Sequence, residues 1–135
     1  MNFLYDNFRN LCLQNVGTYG ILQRPIRLQL VQGSYTPSQS TDVYRAVIPS
    51  GAQGAISAPL TGKTTVAGAF NCAPIAIPAV SGATVVAYVA YFDLGSASND
   101  VLIAYWDTVT GIPFAPTGST ITIEPDPGVG YLFKL

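Results

Sequence analysis

Three aspartates spaced seven residues apart come nearest to a catalytic set in this chain. They are Asp93, Asp100 and Asp107, and glycoside hydrolysis needs only a pair of carboxyl groups. Each of them, however, falls at the end of a predicted strand or in a turn, where Asp commonly accepts hydrogen bonds from nearby backbone. The pattern therefore favours a local structural role for all three. Asp126, which stands between two prolines, is interpreted as a turn residue in the same way.

The other residue types that catalysis or metal binding requires are missing or badly spaced. The chain has no histidine, which removes the commonest general base and every Ser-His-Asp or Cys-His arrangement. Cys12 and Cys72 alone cannot make an ordinary zinc site, and no three acids are spaced for a calcium loop. The glycine-rich fragments 51–54 and 128–130 lack the Lys and Ser/Thr of a phosphate loop. We predict no catalytic residue, no cofactor and no metal.

The cysteine pair leaves two alternatives open. Free cysteine is among the most buried residue types, so Cys12 and Cys72 are interpreted first as small buried apolar side chains. A disulfide between them remains possible, because their spacing in the sequence does not decide it.

Charge is scarce in this sequence. Only 10% of the 135 residues are charged and 49% are hydrophobic, with a net charge of −1, whereas about 25% charged residues is typical. This bias is the opposite of that seen in disordered chains, and a net charge near zero promotes association. We therefore expect a folded homo-oligomer, a dimer or trimer, that resides in an assembly. The six basic residues form no cluster, so we expect no nucleic-acid partner.

The sequence also gives expectations about targeting. Residues 1–6 show neither a basic region nor a long apolar run, so we predict no secretory leader. The longest apolar run, Val85–Phe92, is far shorter than the roughly 20 residues that span a bilayer. We therefore expect a soluble protein made in the cytoplasm, with no membrane partner.

One helix is predicted, over residues 2–14. Leu4, Phe8 and Leu11 recur at helical spacing and form one apolar face, and Asn2 is placed to cap the first turn. The helical period does not return after this segment. We therefore divide the chain into an N-terminal helical segment, 1–16, and a β-domain, 17–135.

The remaining residues form short strands separated by Gly and Pro. In the first strand, alternation predicts that Arg27 and Gln29 face solvent. The segment 83–92 has hardly a polar residue and should be covered on both faces, by the domain or by a neighbouring subunit. Strand spacings near ten residues predict an all-β single-domain β-sandwich or jelly roll with a short N-terminal helix. The predicted strands are 25–30, 43–48, 64–70, 74–77, 83–92, 101–106, 119–124 and 131–135.

Aromatic residues supply the candidate binding surface. Tyr and Trp are enriched at protein interfaces, so those of the C-terminal half are assigned to core and subunit interface in preference to a sugar-binding groove; they are Tyr88, Tyr91, Phe92, Tyr105 and Trp106. The residues predicted to contact a partner are Leu4, Tyr5, Phe8, Tyr35, Tyr131 and Phe133.

Several motifs resemble those of small virion proteins of tailed bacteriophages. The motifs are Leu102–Asp107, a Gly/Pro loop, Gly118–Ile123 and the apolar end Tyr131–Leu135, with a looser match in the helix with Phe8, the strand Ile26–Val31 and Tyr35-Thr36-Pro37. The resemblance covers about half the chain and implies a non-enzymatic virion component.

The resemblance implies, first, a capsid cement or decoration protein. Such a protein sits on the capsid surface, clamps neighbouring capsomers, and has the major capsid protein and copies of itself as partners. The alternatives are a tail, baseplate or fibre-attachment component, a receptor- or glycan-binding module, and, least favoured, a small hydrolase that uses carboxylates.

Overall fold

The computed structural model describes residues 1–14, 17–125, 128 and 130–135. These residues form one small β-rich domain with a single α-helix, α1 (Asp6–Leu13), and three short 3-10 turns at Gly17–Tyr19, Arg45–Val47 and Ser50–Ala52. The strands are β1 (Phe3–Leu4), β2 (Ile26–Val31), β3 (Gln53–Ile56), β4 (Thr64–Val66), β5 (Ala69–Asn71), β6 (Ile75–Ile77), β7 (Ala87–Phe92), β8 (Val101–Trp106), β9 (Ile121–Ile123) and β10 (Phe133–Lys134).

The strands form three antiparallel sheets. The main sheet has the order β1-β8-β7-β2-β3. A second sheet, called the outer sheet below, has the order β10-β5-β4, and β6 pairs with β9 in a third. β-branched and aromatic residues fill β7 and β8, the strands at the centre of the main sheet, as expected for strands that pack on both faces.

Both faces of the main sheet are covered by the chain itself. In β7, Ala90 and Phe92 face one buried cluster, the main core, while Val89 and Tyr91 face a second buried cluster, the second core. The main core also contains side chains from α1, the outer sheet and β6, and the second core lies beneath the segment 31–52. The predicted two-sided burial of 83–92 is confirmed for β7, and its cover comes from within the domain.

The N-terminal helix begins later than predicted. Residues Phe3 and Leu4 are extended and pair with Tyr105 and Ala104 of β8, so α1 starts only at Asp6. Asn2 does not cap α1; its side-chain oxygen accepts hydrogen bonds from the amides of Asp107 and Thr108 instead. Pairing with a strand about one hundred residues away in sequence therefore determines the conformation of Phe3 and Leu4, and the helical spacing of the nearby apolar residues does not.

The first residues do not form a separate segment. Phe8 is fully buried in the main core, and its ring lies 6.0 Å from Phe92 and 5.9 Å from Phe133, centroid to centroid. Leu4 is buried in the same cluster. The boundary at residue 16 is therefore not a structural boundary, because one core holds α1 and the strands together.

Two strand predictions are wrong in instructive ways. Residues 43–48 form a single bridge from Tyr44 to Val101 and then a 3-10 turn. Gln29 is buried, not solvent-facing, because segment 31–52 folds over that face of β2. Its side-chain amide donates to the carbonyl of Gly54 at 3.2 Å, so a polar residue in an alternating strand is satisfied inside the domain.

The stretch 52–82, which gave weak signals in the sequence, contains four short strands, β3 to β6. β4 and β5 form a tight hairpin in which Val66 pairs with Ala69. The two intervening residues, Ala67 and Gly68, both have positive φ, 51° and 79°, as a two-residue turn between twisted strands requires. β3 was not predicted; it lines the edge of the main sheet beside β2.

Candidate partner-binding surface

Most of the residues predicted to contact a partner lie inside the protein. The buried ones are Leu4, Tyr5, Phe8 and Phe133, and Tyr35 and Tyr131 are half-buried. The four buried side chains therefore pack inside the chain's own domain. The prediction that these four residues contact a partner is corrected accordingly.

A chain of hydrogen bonds holds the segment that covers the second core. The hydroxyls of Tyr5 and Tyr35 lie 3.1 Å apart, and the Tyr35 hydroxyl donates to Asp42 at 2.8 Å. The amide of Ser38 donates to the same carboxylate oxygen at 2.9 Å. Burial raises the pKa of both tyrosines well above the ordinary value. Burial therefore keeps both phenols neutral, and the hydrogen bonds hold the segment in place.

The three aspartates spaced by seven serve the structure, as predicted for turn residues. Asp93 accepts from the amide of Gly95 at 3.2 Å and Asp100 from the amide of Leu94 at 2.7 Å. Asp107 accepts from the hydroxyl of Thr108 at 2.8 Å. Asp126 lies outside the described residues.

Two of these carboxylates also form ion pairs with arginines that the sequence did not indicate, and Asp107 pairs with the N-terminal ammonium of Met1. Asp93 pairs with Arg27 at 2.6 Å and Asp100 with Arg45 at 2.9 Å. The second pair is buried, and the Arg45 guanidinium lies 4.7 Å above the ring of Tyr91. No sequence pattern connects residues 45 and 100; only the fold brings them together.

The C-terminal aromatics divide between the core and partial exposure. Tyr91, Phe92 and Tyr105 are buried, whereas Tyr88 and Trp106 are half-buried. Cys72 is buried and Cys12 half-buried, both thiols are free, and burial raises the pKa of each. The cysteines therefore behave as small apolar side chains in or beside the main core. Within the described ranges, no three His, Cys, Asp or Glu side chains cluster as a metal site.

The outer sheet exposes apolar side chains on a regular element. By register, Val66 of β4, Ala69 of β5 and Lys134 of β10 form one row across its outward face. Val66 is 73% exposed, and Leu135, next in the chain after Lys134, is 61% exposed. This face has no acidic side chain, and its opposite face buries Phe70 against Phe133 at 5.0 Å.

The edge of the outer sheet is unprotected. All three residues of β4, Thr64, Thr65 and Val66, are exposed and uncharged. Edge strands of lone proteins are commonly guarded by lysine, but the ammonium of Lys63 donates to the Arg24 carbonyl of its own chain at 2.6 Å. Burial accordingly lowers the pKa of Lys63. The ammonium group of Lys63 is thus directed away from the edge strand β4.

A cavity of about 230 Å³ opens beside the outer sheet, between β10 and the N-terminal strand β1. We call it the slot. Its walls combine aromatic, aliphatic and cationic side chains; they are Asn2, Phe3, Leu4, Arg9, Trp106, Leu132, Phe133 and Lys134. Sequence analysis grouped Trp106 with the candidate interface residues but gave no reason to place Arg9 or Lys134 beside it, because the three lie in distant parts of the chain.

The comparisons with known proteins identify no relative. No protein-family model matches the chain, and no curated protein matches it. In the described part of the chain, no helix has the length and apolar character needed to cross a membrane.

Proposed function

We propose that this protein is a non-enzymatic structural component of a bacteriophage virion, a cement or decoration protein on the capsid surface. It would bind the major capsid protein where capsomers meet and stabilise the shell. The observation that carries the proposal is the outer sheet, whose face and edge are uncharged apart from Lys134 and expose apolar side chains. The resemblance of the C-terminal motifs to small phage virion proteins supports the same function.

The physical argument rests on where the charge and apolar surface lie. Four of the seven acidic residues, Asp6, Asp93, Asp100 and Asp107, are in ion pairs within the chain. Few charges remain to hold a partner by ionic contacts. The outer sheet can instead offer apolar contact and backbone hydrogen bonds, which are the contacts of a protein that stays in an assembly.

We also propose a sandwich-like layering of the three sheets. The main core joins Leu28 of β2, Phe70 of β5 and Ile77 of β6, so side chains from all three sheets meet in one cluster. In this arrangement the main sheet is one layer, and the outer sheet with the β6-β9 pair makes the other, as in two-layer β-domains. The outer sheet then presents its second face to the capsid.

Self-association is proposed only on the shell. The apolar run Val85–Phe92, which favoured a dimer or trimer in the sequence, supplies β7, and all but one of the β7 residues are buried within the domain. The scarcity of charge remains as the argument for contact among copies, and a capsid that carries many equivalent sites would bring those copies together.

Adsorption to purified capsids that lack the protein tests this proposal. We expect the wild-type protein to co-sediment with capsids in many copies spread over the shell. Val66→Glu should lower its apparent affinity at least tenfold, because a carboxylate on the contact face would be buried without a partner.

The matched control is Val47→Glu, which makes the same change at an exposed valine on a 3-10 turn that lies outside the outer sheet. We expect it to bind as the wild type does. Equal binding of all three proteins would contradict the outer sheet as the contact. A few copies confined to the tail would assign the protein to the tail instead.

A further inference from the structure

We infer that the slot binds an extended segment of another virion protein in which an acidic residue stands next to an apolar one. This inference rests on the proposed function, because it names the chemistry of the partner segment. The slot lies between β1, at one edge of the main sheet, and β10, at one edge of the outer sheet. A strand added there would join two sheets that the chain leaves separate.

The backbone of β1 is oriented to accept such a strand. The amide of Tyr5 donates to the carbonyl of Ile103 at 3.0 Å, and Leu4 pairs with Ala104. In an antiparallel ladder, hydrogen-bonded and non-hydrogen-bonded pairs alternate. Leu4 and Ala104 are therefore a non-hydrogen-bonded pair, and the N–H and C=O of Leu4 point away from β8 toward the open edge.

The backbone of β10 has the same arrangement. The amide of Leu135 donates to the carbonyl of Gly68 at 2.9 Å, and Lys134 pairs with Ala69. Lys134 is therefore also in a non-hydrogen-bonded pair, with its N–H and C=O turned away from β5. Leu4 and Lys134 both line the slot, so each edge presents one free donor and one free acceptor to the same space.

The side chains that line the slot indicate what the added segment carries. Arg9 and Lys134, two of the six basic residues of the chain, line it, and no acidic side chain lies among the described residues of the wall. Arg9 has only a loose, exposed contact with Asp6 at 3.8 Å, and Lys134 pairs with no carboxylate among the described residues. Trp106 and Leu132 supply the apolar wall. An acidic residue beside an apolar residue complements this set.

The dimensions favour a peptide segment over a small-molecule ligand. The cavity of about 230 Å³ is smaller than the roughly 300–1,000 Å³ of pockets that enclose a small-molecule ligand. It suits one or two side chains of a chain that continues beyond it on both sides. Addition of a strand to a sheet edge, with pockets for alternate side chains, is a common mode of peptide recognition.

Trp106 makes the test direct, because it is the sole tryptophan of the chain and lines the slot. The probe is the capped peptide Thr-Leu-Glu-Leu-Thr, added to the full-length protein while tryptophan fluorescence is recorded. We expect a saturable spectral change. Arg9→Ala combined with Lys134→Ala should raise the Kd about tenfold, as expected for two partly exposed ionic contacts.

Three controls separate this mode from other binding. Lys63→Ala removes a lysine outside the slot and should leave the Kd unchanged. A peptide with Lys in place of Glu should bind at least tenfold more weakly, and a peptide with alternate N-methylated amides should lose most of its affinity, because it cannot extend a ladder. Thermal melts of each variant confirm that the fold is retained.

No fluorescence change with the acidic peptide, or equal binding of the N-methylated peptide, would overturn the inference. If the peptide fails while the protein still adsorbs to capsids, the slot is wrong and the proposed function stands. If the double variant in the slot also converts a dimer to a monomer in light scattering, the occupant is a second copy and the inference of a different partner is wrong.

Discussion

Replacing Asp100 with alanine is expected to lower the free energy of unfolding by about 3–5 kcal/mol, the usual cost of breaking a buried ion pair from one side. The Asp100 side chain is 2% exposed and that of Arg45 12% exposed. Without the carboxylate, the guanidinium would stay buried over Tyr91 with only a weak contact to Gln29 at 3.4 Å. The amide of Leu94 would also lose its acceptor. Chemical denaturation measures the change.

The chain supplies a matched control for this substitution. Asp93 forms the same kind of pair with Arg27, but the two side chains are 27% and 32% exposed, so Asp93→Ala should cost only about 1 kcal/mol. The double change Asp100→Leu with Arg45→Met should recover most of the loss, because apolar residues often replace a buried pair at little cost. Equal costs for Asp100→Ala and Asp93→Ala would contradict the account of a buried, energetically coupled pair.

Alkaline pH is expected to unfold the protein steeply above about pH 10. Burial raises the pKa of Tyr91 to about 12 and also raises the pKa values of Tyr5 and Tyr35, whereas an unfolded tyrosine titrates near 10. Below pH 10 the phenols are neutral in both states and add nothing to the pH dependence of stability. Above it the unfolded state loses protons that the native state keeps, so stability falls with rising pH.

The expected slope is about 1.4 kcal/mol per pH unit for each such tyrosine, or about 4 kcal/mol per unit for the three together. For Tyr91 the window lies between pH 10 and about 12. Denaturation curves at half-unit steps of pH measure it. Tyr91→Phe should reduce the slope by about 1.4 kcal/mol per pH unit, and an unchanged slope in that variant would contradict the assignment of Tyr91 to this loss.

The strands at the centre of the main sheet were predictable from the sequence. Val101–Trp106 is β8 as predicted, and the long apolar run before it supplies β7. Their residue types prefer extended, covered positions. The strand 119–124 was predicted from its alternation of apolar and polar residues, and Ile121–Ile123 within it forms β9.

The sequence could not predict features that depend on distant pairing. Phe3–Leu4 pairs with β8, although the apolar residues of this segment recur at helical spacing. Arg45 does not lie in the strand predicted for 43–48, and its side chain bonds Asp100. The slot follows from the same kind of contact, because Arg9, Trp106 and Lys134 meet only when the N-terminal end of the chain pairs with the main sheet and the C-terminal end with the outer sheet. Local propensity holds no information about such contacts.

The temperature of genome release from intact particles tests the central claim most directly. It is measured by a dye that reports free DNA, with and without the protein and at low and high salt. Many bound copies that prefer the assembled shell stabilise it by mass action. Because the outer sheet offers mainly apolar and backbone contacts, salt screening should change the effect little. We predict a lower release temperature for particles without the protein, or with Val66→Glu, at both salt concentrations. An unchanged release temperature together with lost adsorption to host cells would contradict the claim.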